Sequence, residues 1–209
     1  MRKIVFATGN SGKLREASEI LGGGFELVSP GQMGIDGDVE ETGLTLKANS
    51  IIKAEYLWES CGCDCFADDT GLEVSALGGA PGVYTARYAG DEKDFNKNMD
   101  KVLSELDRLR AECSMARQIG LEMNRYSRRA RFRSVITLIL GGQKYFFEGV
   151  LEGTVAYSKS GNGGFGYDPI FIPDEFPGKT LADISEEEKN AISHRGKALR
   201  AMAAFLSSK

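Results

Sequence analysis

The chain of 209 residues is 42% hydrophobic and 27% charged, with a formal net charge of −4, a composition that suits a globular protein of one large domain or two joined lobes. The acidic balance excludes a surface built to coat nucleic acid. No apolar run approaches the roughly 20 residues a membrane-spanning helix needs. The apolar part of the opening Met1–Thr8 is too short for a signal peptide, so a cytoplasmic protein is expected.

Lys3–Ala7 predicts a buried strand. It runs into Thr8-Gly9-Asn10-Ser11-Gly12-Lys13 and then into the helical pattern Leu14, Ala17, Ile20, Leu21. A strand, a glycine loop and a helix that starts on a lysine read as either an ordinary connection or a phosphate cradle. In the cradle, free amides, the positive end of the helix dipole and Lys13 would face an anion. It is not a Walker A loop, because Ala7 stands where the first glycine would be. Phe25–Ser29 predicts a second short strand, and a polar, Gly-rich loop over 30–43 ends in Val39-Glu40-Glu41-Thr42-Gly43. Thr45–Glu59 has helical spacing, with Leu46, Ile51, Ile52, Ala54, Tyr56 and Leu57 available for burial. Lys53 lies among them, as a solvated helix lysine or as a ligand for an anion. Cys61, Cys63 and Cys65 alternate, which predicts one face of a strand over Cys61–Ala67. That spacing does not match zinc pairs, and reduced thiols are expected, Cys113 included.

The same strand delivers Asp68-Asp69-Thr70-Gly71. Two like charges at the end of a buried strand are costly to keep ionised without a partner. Either the pair caps the next turn, as aspartates often do, or it holds a divalent cation. With one histidine in the chain, a metal site here would be built from oxygens, which points to magnesium or manganese. Glu73–Leu77 then predicts a hairpin return, 78–82 a tight turn, and Tyr84–Tyr88 a short strand or irregular arm.

Asp94–Gln118 predicts a helix with a stripe of Val102, Leu103, Leu106 and Leu109. The basic run Arg125–Arg133 reads as a solvated strand entry or a contact for an acidic or phosphate partner. Ser134–Leu140 is the clearest buried strand, and Gly141-Gly142 turns it into Lys144–Thr154. In Ser160–Pro169, five of ten residues are glycine or proline. The segment reads as a flexible loop or as backbone shaped for a ligand, with Phe165 or Tyr167 as a stacking face. Ser185 and Glu188 fit a capping box for a short helix carrying Lys189. Ser193 caps a final helix that buries Ala198, Leu199, Met202, Phe205 and Leu206. His194 and Arg195 then fall in its first turn, where the dipole disfavours cations, so a bound anion or a planar acceptor edge is implied.

Together these stretches resemble the inosine/xanthosine triphosphate pyrophosphatase family, the RdgB/HAM-type non-canonical purine nucleotidases. The matching segments are Thr8–Lys13, Glu41–Thr45, Asn49 to Lys53-Ala54, Ala67–Leu72, Gly78–Gly82, Gly163–Pro169, and Glu188-Lys189 through Ile192–Gly196. They stand in family order over nearly the whole chain. The resemblance implies an α/β fold, an elongated mixed β-sheet with flanking helices in two lobes around a central cleft, as one domain over 1–209. It also implies a homodimer and hydrolysis of ITP, dITP and XTP to the monophosphate and pyrophosphate with Mg2+, or Mn2+ in its place.

By the same resemblance, Asp69 is the general base and a metal ligand, with Glu41 and Asp68 completing the acidic site and Glu40 competing with Glu41. Lys53 and Lys13 hold triphosphate oxygens with the amides of Thr8, Gly9, Asn10, Ser11 and Gly12. Thr70 contacts substrate, and Phe165, Gly166, Tyr167, Asp168, Lys189, His194 and Arg195 surround sugar and base. Two departures stand out: Ala48 occupies a position the family gives to glutamate, and the segment over 107–129 is longer than the family pattern. The alternatives are a Maf-like pyrophosphatase for other modified nucleotides and a non-catalytic nucleotide-binding module.

Overall fold

A computed structural model describes residues 2–37, 39–118 and 127–209. Its strands are β1 (Arg2–Phe6), β2 (Phe25–Val28), β3 (Cys65–Val74), β4 (Arg129–Leu140), β5 (Gln143–Val155) and β6 (Phe171–Pro173). They form one mixed sheet in the order β2-β1-β3-β4-β5-β6, with β1 parallel to β2 and β3, and β6 antiparallel to β5. The helices are α1 (Ser11–Leu21), α2 (Leu46–Cys61), α3 (Phe95–Gln118), α4 (Glu186–Ile192) and α5 (His194–Ser207). Among the described residues no helix is long and apolar enough to cross a membrane.

Chain contacts define two compact units, Met1–Thr70 with Arg133–Val150 and Ser193–Lys209, and Gly71–Phe132 with Leu151–Ile192. The first has a sheet with two dressed faces, and strand alternation decides what each face carries. Ile4, Phe6 and Phe66 pack with Ala17 and Leu21 of α1 and with Ala198, Leu199 and Met202 of α5. Val5, Cys65 and Ala67 point the other way and pack with Ala54 and Leu57 of α2. Phe6 and Phe66 stack at 4.2 Å between centroids on the α1/α5 face.

In the second unit, Met99, Val102 and Leu106 give α3 its apolar stripe, and this packs with Leu72, Val74, Phe132, Tyr167 and Phe171. The Ser185–Glu188 capping box forms as expected, the Glu188 amide donating to Ser185 Oγ at 3.2 Å and the Ser185 amide to Glu188 Oε2 at 2.9 Å. Ser193 caps α5 by accepting from the Gly196 amide at 2.9 Å.

Four local expectations are corrected. The strand does not begin at Cys61: that residue ends α2, left-handed Gly62 caps the helix by donating to the Trp58 carbonyl, and β3 starts at Cys65. The three alternating cysteines therefore do not share a strand face; all four cysteines are free thiols. Asp68 and Asp69 are not at a strand end either, because β3 continues to Val74. Glu73–Leu77 is not the hairpin return: Glu73 and Val74 end β3, Ser75–Leu77 is a 3-10 turn, and the chain pairs back only at Pro81, in an isolated antiparallel bridge with Glu73; Gly82–Arg87 is also 3-10, where a strand or irregular arm was expected. Residues 119–126, which hold part of the long segment over 107–129 and the start of the basic run, lie outside the described residues.

Gly149 of β5 lets α5 approach. A Cβ there would stand 2.0 Å from the His194 carbonyl oxygen and 2.6 Å from the Ala198 amide. Gly149→Ala should therefore displace the first turn of α5 and destabilise the protein by about 1–3 kcal/mol, the usual span for overpacking. Denaturant unfolding checks this, and an unchanged midpoint would contradict it.

Candidate active site

The strand period of two governs the site. Asp68 continues the Phe66 face of β3 and Asp69 the Ala67 face, so two adjacent carboxylates point to opposite sides of the sheet. Both are buried, at 3% and 8% exposure. A buried carboxylate needs a charged or hydrogen-bonding partner, and each finds one on its own face.

On the α1/α5 face, Lys13 Nζ lies 3.0 Å from both Oδ1 and Oδ2 of Asp68. Arg195 Nε donates to Asp68 Oδ2 at 3.1 Å, and its Nη1 lies 3.4 Å from Glu16 Oε2. Lys13 and Glu16 are three residues apart on α1, which puts them on one side of that helix. The anions implied by two basic residues at the start of α5 thus include the protein's own, Asp68 and Glu16, at Arg195.

On the α2 face, Lys53 Nζ lies 2.8 Å from Asp69 Oδ1 and 3.1 Å from Glu41 Oε1. Asn49, one turn before Lys53 and fully buried, donates from Nδ2 to Asp69 Oδ2 at 3.4 Å and accepts from the Gly43 amide at 2.8 Å. The Gly43 position has no room for a side chain, since a Cβ would stand 2.5 Å from Asn49 Oδ1. Glu41, rather than exposed Glu40, is the acid brought to this cluster.

The two environments push the aspartates apart. Burial opposes ionisation of Asp68, but Lys13, Arg195 and Lys53 outweigh it and hold its carboxyl well below the usual carboxylate range. For Asp69 burial prevails: Lys53 opposes it, Glu41 and Asp68 add repulsion, and the carboxyl rises above its ordinary value. Lys53 is buried too, yet Asp69, Asp68 and Glu41 outweigh that burial and raise its affinity for a proton. Adjacent acids with opposite shifts are what a proton acceptor and a fixed countercharge require.

Other expected site residues are placed differently from the sequence reading. In the Thr8–Lys13 loop most amides are already engaged. Thr8 donates to the Phe6 carbonyl, Asn10 to Thr8 Oγ1, and Gly12 and Lys13 to Asn10 Oδ1. Gly9 and Ser11 keep amides that make no hydrogen bond among the described residues. Thr70 Oγ1 donates to Ser134 Oγ at 3.0 Å.

In the second unit the Gly-rich loop is exposed over 160–165, yet its glycine backbone lies close against its neighbours. Gly161 and Gly164 have left-handed φ values, and a Cβ at Gly164 would stand 2.2 Å from Asp168 Oδ2. That oxygen accepts from the Phe165 amide at 2.7 Å and pairs with Lys189 Nζ at 2.5 Å. Phe165 is 64% exposed, with the Lys189 ammonium 4.3 Å from its ring centroid. Tyr167, expected as an alternative stacking face, is a core residue at 1% exposure whose hydroxyl donates to the Thr85 carbonyl at 2.8 Å.

Asn49, Glu16 and Ser134 carry polar contacts that the sequence reading did not assign. The signals were present as Asn49 and Lys53 at i, i+4 on one helix and Lys13 and Glu16 at i, i+3 on another. The opposite pointing of Asp68 and Asp69 was also written in their adjacency.

The model of the Ham1 family matches residues 4–205. The dITP/XTP pyrophosphatase of Christiangramia forsetii is 45% identical over 205 residues, 98% of this chain and 99% of that one. The protein of the same name from Porphyromonas gingivalis is 45% identical over 208 residues, 99% of this chain and 98% of that one. The solved structure of a HAM1 protein from Coxiella burnetii superposes with a TM-score of 0.87 at 36% identity, covering 100% of both chains.

The depressed Asp68 carboxyl makes the protein acid-sensitive. The unfolded chain binds that proton near the ordinary value of 3.8 and the folded protein only well below it. Its contribution is thus fully present above that value and lost as pH falls through the lower range. The melting temperature of the metal-free protein should therefore drop more steeply below about pH 4 than that of Asp68→Asn. Parallel pH profiles would contradict the assignment.

Proposed function

The chain belongs to the Ham1 family, and we infer from that premise that it hydrolyses the non-canonical purine nucleotides dITP, ITP and XTP to the monophosphate and pyrophosphate. The observation that carries this reading is Asp69, a buried carboxyl of raised basicity held by Lys53 and Asn49, in a chain alike over its full length to dITP/XTP pyrophosphatases. Cleavage of a phosphoanhydride asks for positioning and charge neutralisation more than covalent chemistry.

Asp69 accepts the proton from the attacking water. Lys53 and Lys13, each now on a carboxylate, move to triphosphate oxygens, and the Gly9 and Ser11 amides at the start of α1 add donors. Asp68 stays ionised throughout and keeps Lys13 and Arg195 at the phosphate end.

Magnesium, or manganese in its place, fits the donor set. Such a cation is usually held by one or two carboxylates and completes its shell with phosphate oxygens and waters. Glu41 and Asp69 supply two carboxylates around one cationic point, now Lys53 Nζ. Among the described residues no three His, Cys, Asp or Glu side chains form a metal site. Asp68, expected as a third ligand, lies on the opposite face of β3, so we assign the metal to Glu41 and Asp69. When bound, the cation neutralises charge that develops on the phosphate oxygens.

Phe165 offers its exposed ring to the purine, Gly166 gives close backbone approach, and Asp168 fixes Lys189 and the Phe165 amide. Hypoxanthine and xanthine present an oxygen acceptor where adenine presents an amino group, so donors select them. His194, the remaining N–H groups of Arg195 and the backbone near Phe165–Asp168 are the donors. Residues 1–209 act as one catalytic domain, as a cytoplasmic homodimer without a nucleic-acid partner.

Two substitutions test this reading through pyrophosphate release. Asp69→Asn removes the base and one ligand charge and should lower kcat on dITP by about 10²–10⁴; a wild-type kcat would refute the role of Asp69. Phe165→Ala should raise KM for dITP and XTP alike by roughly 5- to 150-fold, the range of a lost base stack. A KM unchanged for both would remove Phe165 from the site.

A further inference from the structure

In the α2-face cluster, one point already lies between the two carboxylates assigned to the metal. Lys53 Nζ stands 2.8 Å from Asp69 Oδ1 and 3.1 Å from Glu41 Oε1. Its side chain is only 15% exposed. Asn49 Nδ2 takes the other Asp69 oxygen, and Asp68 is turned to Lys13 and Arg195 on the far face. An ammonium and a small divalent cation compete for the same oxygens here, because both are compact hard cations that seek carboxylate.

We propose that Lys53 is the resident cation of this site in the free protein and that the triphosphate, by drawing Lys53 onto its own oxygens, opens Glu41 and Asp69 to the metal. This rests on the metal assignment above. It predicts an order: the free protein binds divalent metal weakly, and metal and nucleotide enter together. The reason is electrostatic. Without substrate, a divalent ion would have to displace a buried ammonium whose neighbouring Asp68 carboxylate is already paired with Lys13 and Arg195, or share two carboxylates with it at close range. With substrate, the phosphate oxygens take the ammonium and also supply the ligands the protein lacks.

Lys13 is not placed in the same way. Its two contacts are to Asp68, with no second acid in common with the metal position. The competition therefore belongs to Lys53 among the lysines of the site.

The test needs no turnover, so its failure is distinct from failure of the pyrophosphatase reading. Mn2+ binding to the free protein, without nucleotide, is measured by calorimetry for wild type, Lys53→Met and Lys53→Gln, with Lys144→Met as a surface control. Lys144 pairs with Glu55 and lies outside the site. We expect both Lys53 variants to bind Mn2+ at least about tenfold more tightly than wild type, as removal of a like charge at contact distance requires, with the control unchanged.

Loss of Lys53 leaves two acids without their cation and lowers stability, so thermal unfolding gives a second readout. Mn2+ should raise the melting temperature of the Lys53 variants at concentrations that leave wild type unmoved. Equal Mn2+ affinities and equal thermal shifts in wild type and variants would overturn the proposal. So would tight Mn2+ binding by the free wild-type protein.

Discussion

Two adjacent aspartates in the middle of a buried strand cannot both bond to the same side chains. The strand period sends Asp68 and Asp69 to opposite faces, and each arrives in a layer of helices that must supply positive charge or hydrogen bonds where it would otherwise supply only apolar side chains. Several polar side chains of the first unit answer that requirement. Lys13 on α1 and Arg195 on α5 meet Asp68; Lys53 and Asn49 on α2 meet Asp69. Glu16 and Glu41 then balance Arg195 and Lys53. The result is two alternating charge clusters, one per face, joined through neighbouring residues of β3.

The glycines beside these clusters are explained by the same geometry. Gly43 lets the acidic loop donate its amide to Asn49, which has its other end on Asp69. Gly149 lets the first turn of α5 settle on β5, which sets where Arg195 begins. A methyl group at Gly43 would displace Asn49, and one at Gly149 would displace the helix turn that carries Arg195. Unequal surroundings give the two carboxylates unequal chemistry. Asp68, with three cations near it, is a permanent anion; Asp69, with one cation and two acids, is the better proton acceptor.

Much of this was legible in the sequence. Apolar periodicity located β1, α1, α2, α3, β5 and α5 within a few residues, because each element buries a regular face; β4 begins five residues before the expected Ser134, inside the basic run. The caps at Ser185 and Ser193 were readable from local side-chain chemistry alone. The errors arose where a local rule met a longer one. Alternating Cys61, Cys63 and Cys65 look like a strand, but the Gly62 helix cap takes precedence. Thr70-Gly71 looks like a turn, but Gly71 is held in a ten-residue strand. Tyr167 looks like a ligand contact in a glycine loop, but its ring is needed in the core around Phe171. The pairing of Glu16 with Arg195 joins residues 179 positions apart, and no local pattern reports a contact of that kind.

In the proposed function these opposed clusters serve a single cleavage of a purine triphosphate between its α- and β-phosphates. Phosphorus-31 NMR of wild-type protein with magnesium and dITP, XTP, dATP or dGTP tests it most directly. With dITP and XTP the expected products are equal amounts of monophosphate and pyrophosphate with no diphosphate or orthophosphate, while dATP and dGTP are turned over far more slowly. Stepwise release of orthophosphate, or equal turnover of all four nucleotides, would contradict it.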